Sequence, residues 1–229
     1  MNKRRQLSFV EDVSTDLWGS GFGEVARRLL TAGVGCFATA GFMATTTRDI
    51  TAGAGVSPAA LYVHFPSKEA VLFEIVLAAH RDSLRVVREV EVCGDPADYL
   101  RTLVSHFVAW HARYHVAGRV SQYELSALSA EHFDVIVGLR HRTIEVFHQA
   151  IARGRGVGAF PVVDEHRVVR AIVSLGVDLV RWYRDDGADS PAELGEFYGE
   201  LALGMVQAAG ARARPPGDLL AGGAQAANE

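Results

Sequence analysis

The sequence predicts an all-α protein, with a small N-terminal three-helix unit followed by a larger helical domain and about nine helices in total. Three observations carry this. Apolar residues recur at spacings of three and four, as in Val25, Leu29, Ala32, Cys36 and Phe37, the period of one helix face. Helix-start signals repeat along the chain, a capping side chain followed by proline at Ser57-Pro58, Asp95-Pro96 and Ser190-Pro191. No run of alternating β-branched residues reads as a strand.

Taken in order, residues 1–22 lack a clean periodicity and read as a disordered arm. The small unit spans 23–66. Its first helix starts at Glu24 and stops at Ala40-Gly41-Phe42, with Gly41 placed for a left-handed cap. Thr46 caps a short second helix, Asp49 standing three residues on, and Gly53 and Gly55 close it. Ser57 and Pro58 open a third helix that Pro66 ends. The larger domain, 67–210, begins where Ser67 caps a helix running through Val71 and Ile75 to about Glu91. Further helices are expected from Asp95-Pro96 to roughly Tyr114, Val116 to Leu128, Ala130 to Arg153, Asp164 to about Arg184, and Ser190-Pro191 to about Ala209. Gly154, Gly156 and Gly158 follow a helix, not a strand, so they read as a flexible connection and not as a phosphate loop. Residues 211–229 are rich in Ala, Gly and Pro and read as a disordered tail.

Composition narrows the function. The 229 residues are 49% hydrophobic and 22% charged, ordinary for a globular fold. No stretch of 18 uncharged apolar residues exists, so no membrane partner is expected. Glu11, Asp12 and Asp16 stand where a signal peptide needs its apolar stretch. Two cysteines, Cys36 and Cys93, give no disulfide framework, and a cytoplasmic protein is expected. The net charge is −4, which excludes a wholly basic nucleic-acid coat but not a local contact surface. Residues 1–80 hold seven basic and seven acidic side chains, and the remainder 16 against 20, so the deficit lies in the C-terminal part. No G-x-S-x-G, Walker A loop or strand-borne G-x-G-x-x-G is present, so neither an enzyme nor a cofactor is expected.

Two short helices, Thr46–Ala54 and Ser57–Phe65, joined by a tight Gly55-Val56 turn, have the proportions of a helix-turn-helix, whose second helix enters the DNA major groove. The stretch FATAGFMATTTRDITAGAGVSPAALYVHFPSKEAVL, Phe37 to Leu72, closely resembles the DNA-binding domain of the TetR family of bacterial transcriptional regulators. Phe37, Gly41-Phe42, Thr45-Thr46, Ile50, Ala54-Gly55-Val56-Ser57, Leu61-Tyr62, His64-Phe65 and Ser67-Lys68-Glu69 carry the match without a gap. Thr46 and Thr47 sit at a helix N-terminus suited to a phosphate, although Thr46 also reads as a plain cap. The resemblance implies backbone phosphate contacts from Tyr62, His64 and Lys68, against the alternatives of core packing for the first two and a solvated charge for the third. The end of the recognition helix that faces the bases holds Ser57, Pro58, Ala59 and Ala60. No Arg, Asn or Gln stands there for a bidentate base contact, so Arg48 is the best candidate for a specific guanine or phosphate contact. Lys3, Arg4 and Arg5 form either a minor-groove arm or an idle tail. Leu61, Val63 and Phe65, with Phe37, Phe42 and Ile50, read as the small core of this unit.

The same resemblance implies that the larger domain binds a small effector and dimerises through its last two helices. Leu175, Leu179 and Trp182 form one stripe with Ile172, and Leu194, Phe197, Leu201 and Met205 another, with Gly176, Gly195, Gly199 and Gly204 available for close helix approach. These stripes suit either a dimer interface or burial within one chain. RWYRDDGADSPAELGEFYGELALGMV, Arg181 to Val206, looks like TetR-type regulators of lipid and acyl-CoA catabolism. For a pocket, His106, Trp110 and Tyr114 recur at i, i+4 and i+8, and Tyr123, Glu124 and Asp178 are further candidates. His111 and His115 lack the extra ligands a metal site needs. The expected partners are thus an operator duplex, a small-molecule effector and a second copy of the chain. The implied function is a repressor released from a palindromic operator by a hydrophobic effector such as an acyl-CoA or lipid-derived molecule. Two alternatives stay open: a multidrug-type sensor with a promiscuous aromatic pocket, and a dimeric ligand-binding protein whose DNA surface has degenerated.

Overall fold

The computed structural model describes residues 15–92, 94–162 and 164–211. Among them are nine α-helices and no strand. The helices are α1 (Glu24–Ala44), α2 (Thr47–Ala54), α3 (Pro58–His64), α4 (Lys68–Arg88), α5 (Pro96–Arg113), α6 (His115–Tyr123), α7 (Ala130–Gly156), α8 (Glu165–Trp182) and α9 (Pro191–Ala211). Short 3-10 turns cover Thr15–Trp18 and Leu125–Ala127. The expectations for Lys3, Arg4, Arg5, Cys93 and residues 212–229 lie outside the described residues.

The expected breaks fall where local chemistry puts them. Gly41 adopts φ 78°, ψ 164°, which interrupts α1 without ending it, and one further turn reaches Ala44. The Thr45 hydroxyl then donates to the carbonyls of Gly41 at 2.8 Å and Cys36 at 3.2 Å. At Thr46 the capping box is complete: its Oγ1 accepts the Asp49 N–H, and the Asp49 carboxylate accepts the Thr46 N–H at 2.8 Å. Gly55, at φ 64°, supplies the left-handed residue that turns α2 into α3. Asp95, Ser129 and Asp164 cap α5, α7 and α8 through their side chains. Val116–Leu128, expected as one helix, is instead α6 followed by a 3-10 turn, its N-terminal end abutting α5 across Tyr114.

One expectation is corrected at the N-terminus. Residues 15–22 are not a loose arm: Leu17 and Trp18 are buried, and the Trp18 indole N–H donates to Thr31 Oγ1 at 2.8 Å. Burying an indole whose polar edge finds a partner outweighs the weak helix propensity of this segment. Arg27 holds it further by donating to the carbonyls of Phe22 and Gly19.

Packing produces one continuous core that runs through both parts. Leu29, Leu30, Phe37, Ile50, Leu61 and Phe65 are buried together with Leu72 and Ile75 of α4, so α4 belongs to both parts of the molecule. Val63, expected in this core, points to solvent and is 80% exposed, because a seven-residue helix buries only one face. In the larger part, α5 runs centrally and contacts α4, α7, α8 and α9. Its Leu100, Leu103 and Phe107 pack with Ile136, Phe147, Ile151 and Ile172. Each such fully buried side chain contributes roughly 1.5–3 kcal/mol.

Candidate DNA interface and effector cavity

The recognition helix α3 presents Ser57, Pro58, Ala59, Tyr62, Val63 and His64 to solvent, while Leu61 and Phe65 anchor its other side. Ala60 is half-buried. This exposed surface is almost free of charge. Arg48, on α2, is exposed beside it, and its side chain has no acidic partner among the described residues. The two threonines at the start of α2 differ. Thr46 spends its hydroxyl proton on Asp49 Oδ2 at 2.7 Å, whereas the Thr47 hydroxyl has no partner among the described residues. The bonds from Thr46 hold the Asp49 carboxyl below the usual carboxylate range, so a negative charge already sits at this helix start.

Lys68 is not a free cation. Its ammonium donates to the carbonyls of Phe42 and Thr45, both at 2.6 Å, and lies 4.1 Å from the centroid of the Phe42 ring. The kink at Gly41 turns these carbonyls toward it. In this conformation Lys68 joins α4 to the end of α1, which departs from the phosphate contact expected of it. Arg28 does the equivalent at the other end of α2, donating to the Ala54 carbonyl and to the Gly55 carbonyl at 3.3 Å. Nothing in the sequence singles out Arg28, because its partners lie 26 and 27 residues away.

A cavity of about 430 Å³ opens among five helices of the larger part. α4 contributes Ala79, His80 and Ser83, and α5 contributes Phe107, Trp110 and His111. α6 brings Gly118, Ser121, Gln122 and Tyr123; α7 brings Arg140, Thr143 and Ile144; α8 closes the wall with Val173, Ser174, Val177, Asp178 and Val180. Of the expected pocket residues, Trp110, Tyr123 and Asp178 line it. Trp110 is fixed by donating its indole N–H to Asp82 at 2.8 Å. Asp178 sits half-buried and is paired with Arg181 at 2.9 and 3.0 Å, which supplies the partner its apolar neighbours lack.

Three pocket expectations are corrected. His106 is exposed on the far side of α5, because i, i+4, i+8 spacing drifts around a helix of 3.6 residues per turn. Tyr114 is buried but packs against Trp110 from behind the wall. Glu124 lies outside the cavity, with its carboxylate near Gly41. The structure adds His80, His111 and Arg140 in their place. Burial pushes both histidines down to about 4, so both are neutral near pH 7. His80 Nδ1 bonds the Val76 carbonyl at 2.8 Å, leaving its Nε2 to accept from Arg140 Nε at 3.1 Å. His111 Nδ1 bonds the Phe107 carbonyl at 2.8 Å.

Comparison with known proteins decides the family. Residues 29–75 match the family described as "Bacterial regulatory proteins, tetR family", and residues 93–206 match "Tetracyclin repressor-like, C-terminal domain". The HTH-type transcriptional repressor KstR2 of Rhodococcus jostii is 30% identical over 186 residues, covering 79% of this chain and 91% of that protein. A crystal structure of a bacterial regulatory protein in the tetR family from Rhodococcus RHA1 superposes with a TM-score of 0.77 at 37% identity, covering 81% of this chain and 98% of that one. This chain belongs to the TetR family. A further likeness is the ketosteroid transcriptional regulator KstR2 of Mycobacterium tuberculosis, with a TM-score of 0.74, 27% identity, and coverage of 81% and 96%. As a TetR-family protein, the chain is a DNA-binding transcriptional regulator.

In this regulator the two stripes expected for dimerisation separate. Leu175, Trp182, Phe197 and Leu201 are exposed at 40%, 44%, 64% and 41% on α8 and α9. Leu179 and Leu194 are buried within the chain, and Met205 is half-buried. The glycines are also reassigned. A Cβ on Gly195 or Gly199 would lie 2.6 and 2.9 Å from the carbonyl oxygens of Ser105 and Arg101, so these glycines let α9 lie on α5 of the same chain. One on Gly176 would meet the Phe107 ring at 2.8 Å, whereas Gly204 faces open space.

Proposed function

We propose that this regulator is a cytoplasmic homodimeric repressor, released from a palindromic operator by a small hydrophobic effector of the acyl-CoA or lipid-derived class. The observation that carries the proposal is the cavity, mostly apolar and walled by five helices, with a few polar groups inside. Its volume falls within the ~300–1,000 Å³ typical of small-molecule sites. The similarity to a regulator described by the word ketosteroid favours a lipid-like effector over a cationic drug. On the DNA side, Arg48, Thr47, Tyr62 and His64 supply phosphate and base contacts, and Ser57, Pro58, Ala59 and Ala60 offer small groups to thymine methyls. Thr46 serves mainly as the cap and Lys68 mainly as the joint. Specificity then comes from dimeric half-site spacing and DNA shape as much as from individual bases.

Coupling runs through α4. Its first turn is tied to the helix-turn-helix by Lys68, and to α7 by Glu69, which accepts from the Ser129 N–H at 3.0 Å and bonds His132 at 2.7 Å. Its middle lines the cavity. An effector that separates α4 from α7 therefore acts on both the pocket and the reading heads, which is what a two-site coupling requires. The testing experiment selects genomic DNA fragments on the purified protein near physiological salt. One palindromic site is expected, bound more weakly by Arg48→Ala and released by steroid-type or acyl-type compounds. Sequence-blind binding would refute the repressor, and release by cationic drugs alone would reassign it as a multidrug sensor.

A further inference from the structure

The cavity contains one cation that the protein leaves uncompensated. Arg140 is half-buried on α7, and its guanidinium donates to His80 Nε2 and to Gln122 Oε1, both neutral acceptors. No carboxylate pairs with it among the described residues. Asp178, the acidic group of the lining, is held by Arg181. Desolvation lowers the Arg140 pKa from its usual range, the mark of a charge stripped of water without a counter-charge. Beside Gln122 in the chain stands Ser121, 4% exposed and lining the same cavity, whose hydroxyl is buried with no hydrogen-bond partner among the described residues. An orphan hydroxyl and an unpaired guanidinium, on two residues that line one cavity, are two deficits that an anion reaching both would remove. The same lining includes the apolar side chains of Phe107, Trp110, Ile144, Val173 and Val177.

We infer that the effector is an amphipathic anion, its carboxylate or phosphate seated on Arg140 and Ser121 and its apolar body against Phe107, Trp110 and Ile144. This rests on the assignment of the cavity as the effector site. It adds that an uncharged lipid of the same shape is a poor ligand. Because His80 is the other partner of the Arg140 Nε, the anion competes with α4 for the guanidinium and loosens the bond between α4 and α7.

The test uses the full chain and two fluorescent probes of one skeleton, 8-anilinonaphthalene-1-sulfonate, which is anionic, and N-phenyl-1-naphthylamine, which lacks the sulfonate. The anionic probe is expected to bind about tenfold more tightly, the value of one charge-assisted bond. Arg140→Gln should abolish that preference while leaving the neutral probe unchanged, and Arg140→Lys should restore most of it. Displacement of the anionic probe by dodecanoate would place a carboxylate on Arg140, and displacement by dodecanoyl-coenzyme A alone would place a phosphate there. Equal binding of the two probes, or an anionic probe indifferent to Arg140→Gln, overturns the inference while leaving the cavity as the site. Val173→Trp, which fills the cavity, should expel both probes, and if it expels neither, the cavity is not the ligand site and both proposals fall.

Discussion

At the residue scale, Lys68 shows how one ammonium can serve the fold instead of the ligand. Two carbonyl bonds at 2.6 Å and a ring face hold it on the last turn of α1. Replacing it by Ala strands two carbonyls and should destabilise the protein by about 1–3 kcal/mol, read as a lower Tm. The salt dependence of DNA affinity should stay the same, since no released counterion is lost. Arg48→Ala should do the reverse, leaving Tm unchanged and lowering the slope of log affinity against log salt by about one. A changed slope in the Lys68 variant would mean that its ammonium leaves these carbonyls for a phosphate on the operator. The sequence made Lys68 conspicuous because it is one of only two lysines. Its partners were illegible, since they depend on the kink that Gly41 puts into α1.

At the scale of elements, the caps and turns were legible because they are local. Thr46 with Asp49, Gly55, and Ser67 before α4 each work through residues no more than four apart. Gly55→Ala would force a Cβ into the left-handed region, with the Arg28 guanidinium 2.9 Å away. A loss of roughly 1–2 kcal/mol is expected in denaturant unfolding, with operator affinity falling as α3 loses its angle to α2. Helix faces were legible only in part. The period of α5 identified Trp110 but also nominated His106, and nothing short of the packed bundle shows which third of that helix meets α4, α6 and α8. The same limit explains Leu179 and Leu194, apolar like their neighbours on the stripe yet buried in their own chain.

At the scale of the whole molecule, fold and family followed from one stretch of about 50 residues, whereas the cavity is assembled from five helices spanning residues 79–180. His80, His111 and Arg140 are far apart in sequence and share no motif. Burial lowers the two histidines to about 4, against 6.5 when unfolded. The unfolded chain therefore binds protons that the folded one refuses, so stability is fully present above pH 6.5 and declines as pH falls from there to about 4. One such shift is worth about 3 kcal/mol, and a His111→Gln variant should show a shallower decline in Tm over that range. If the exposed Leu175, Trp182, Phe197 and Leu201 form the dimer face, Phe197→Glu should halve the mass seen by sedimentation and abolish operator binding, with the Tm of the monomer little changed. The position of His80 along α4 carries one more consequence. It lies twelve residues from Lys68, or ~18 Å at the helical rise of ~1.5 Å per residue. With Lys68 welded to the reading head, α4 is a lever: a tilt of about 5° at His80 swings the far end by about 1.5 Å. In a twofold pair those swings add, and about 3 Å of error across the ~34–36 Å between neighbouring major grooves takes both reading helices out of register at once.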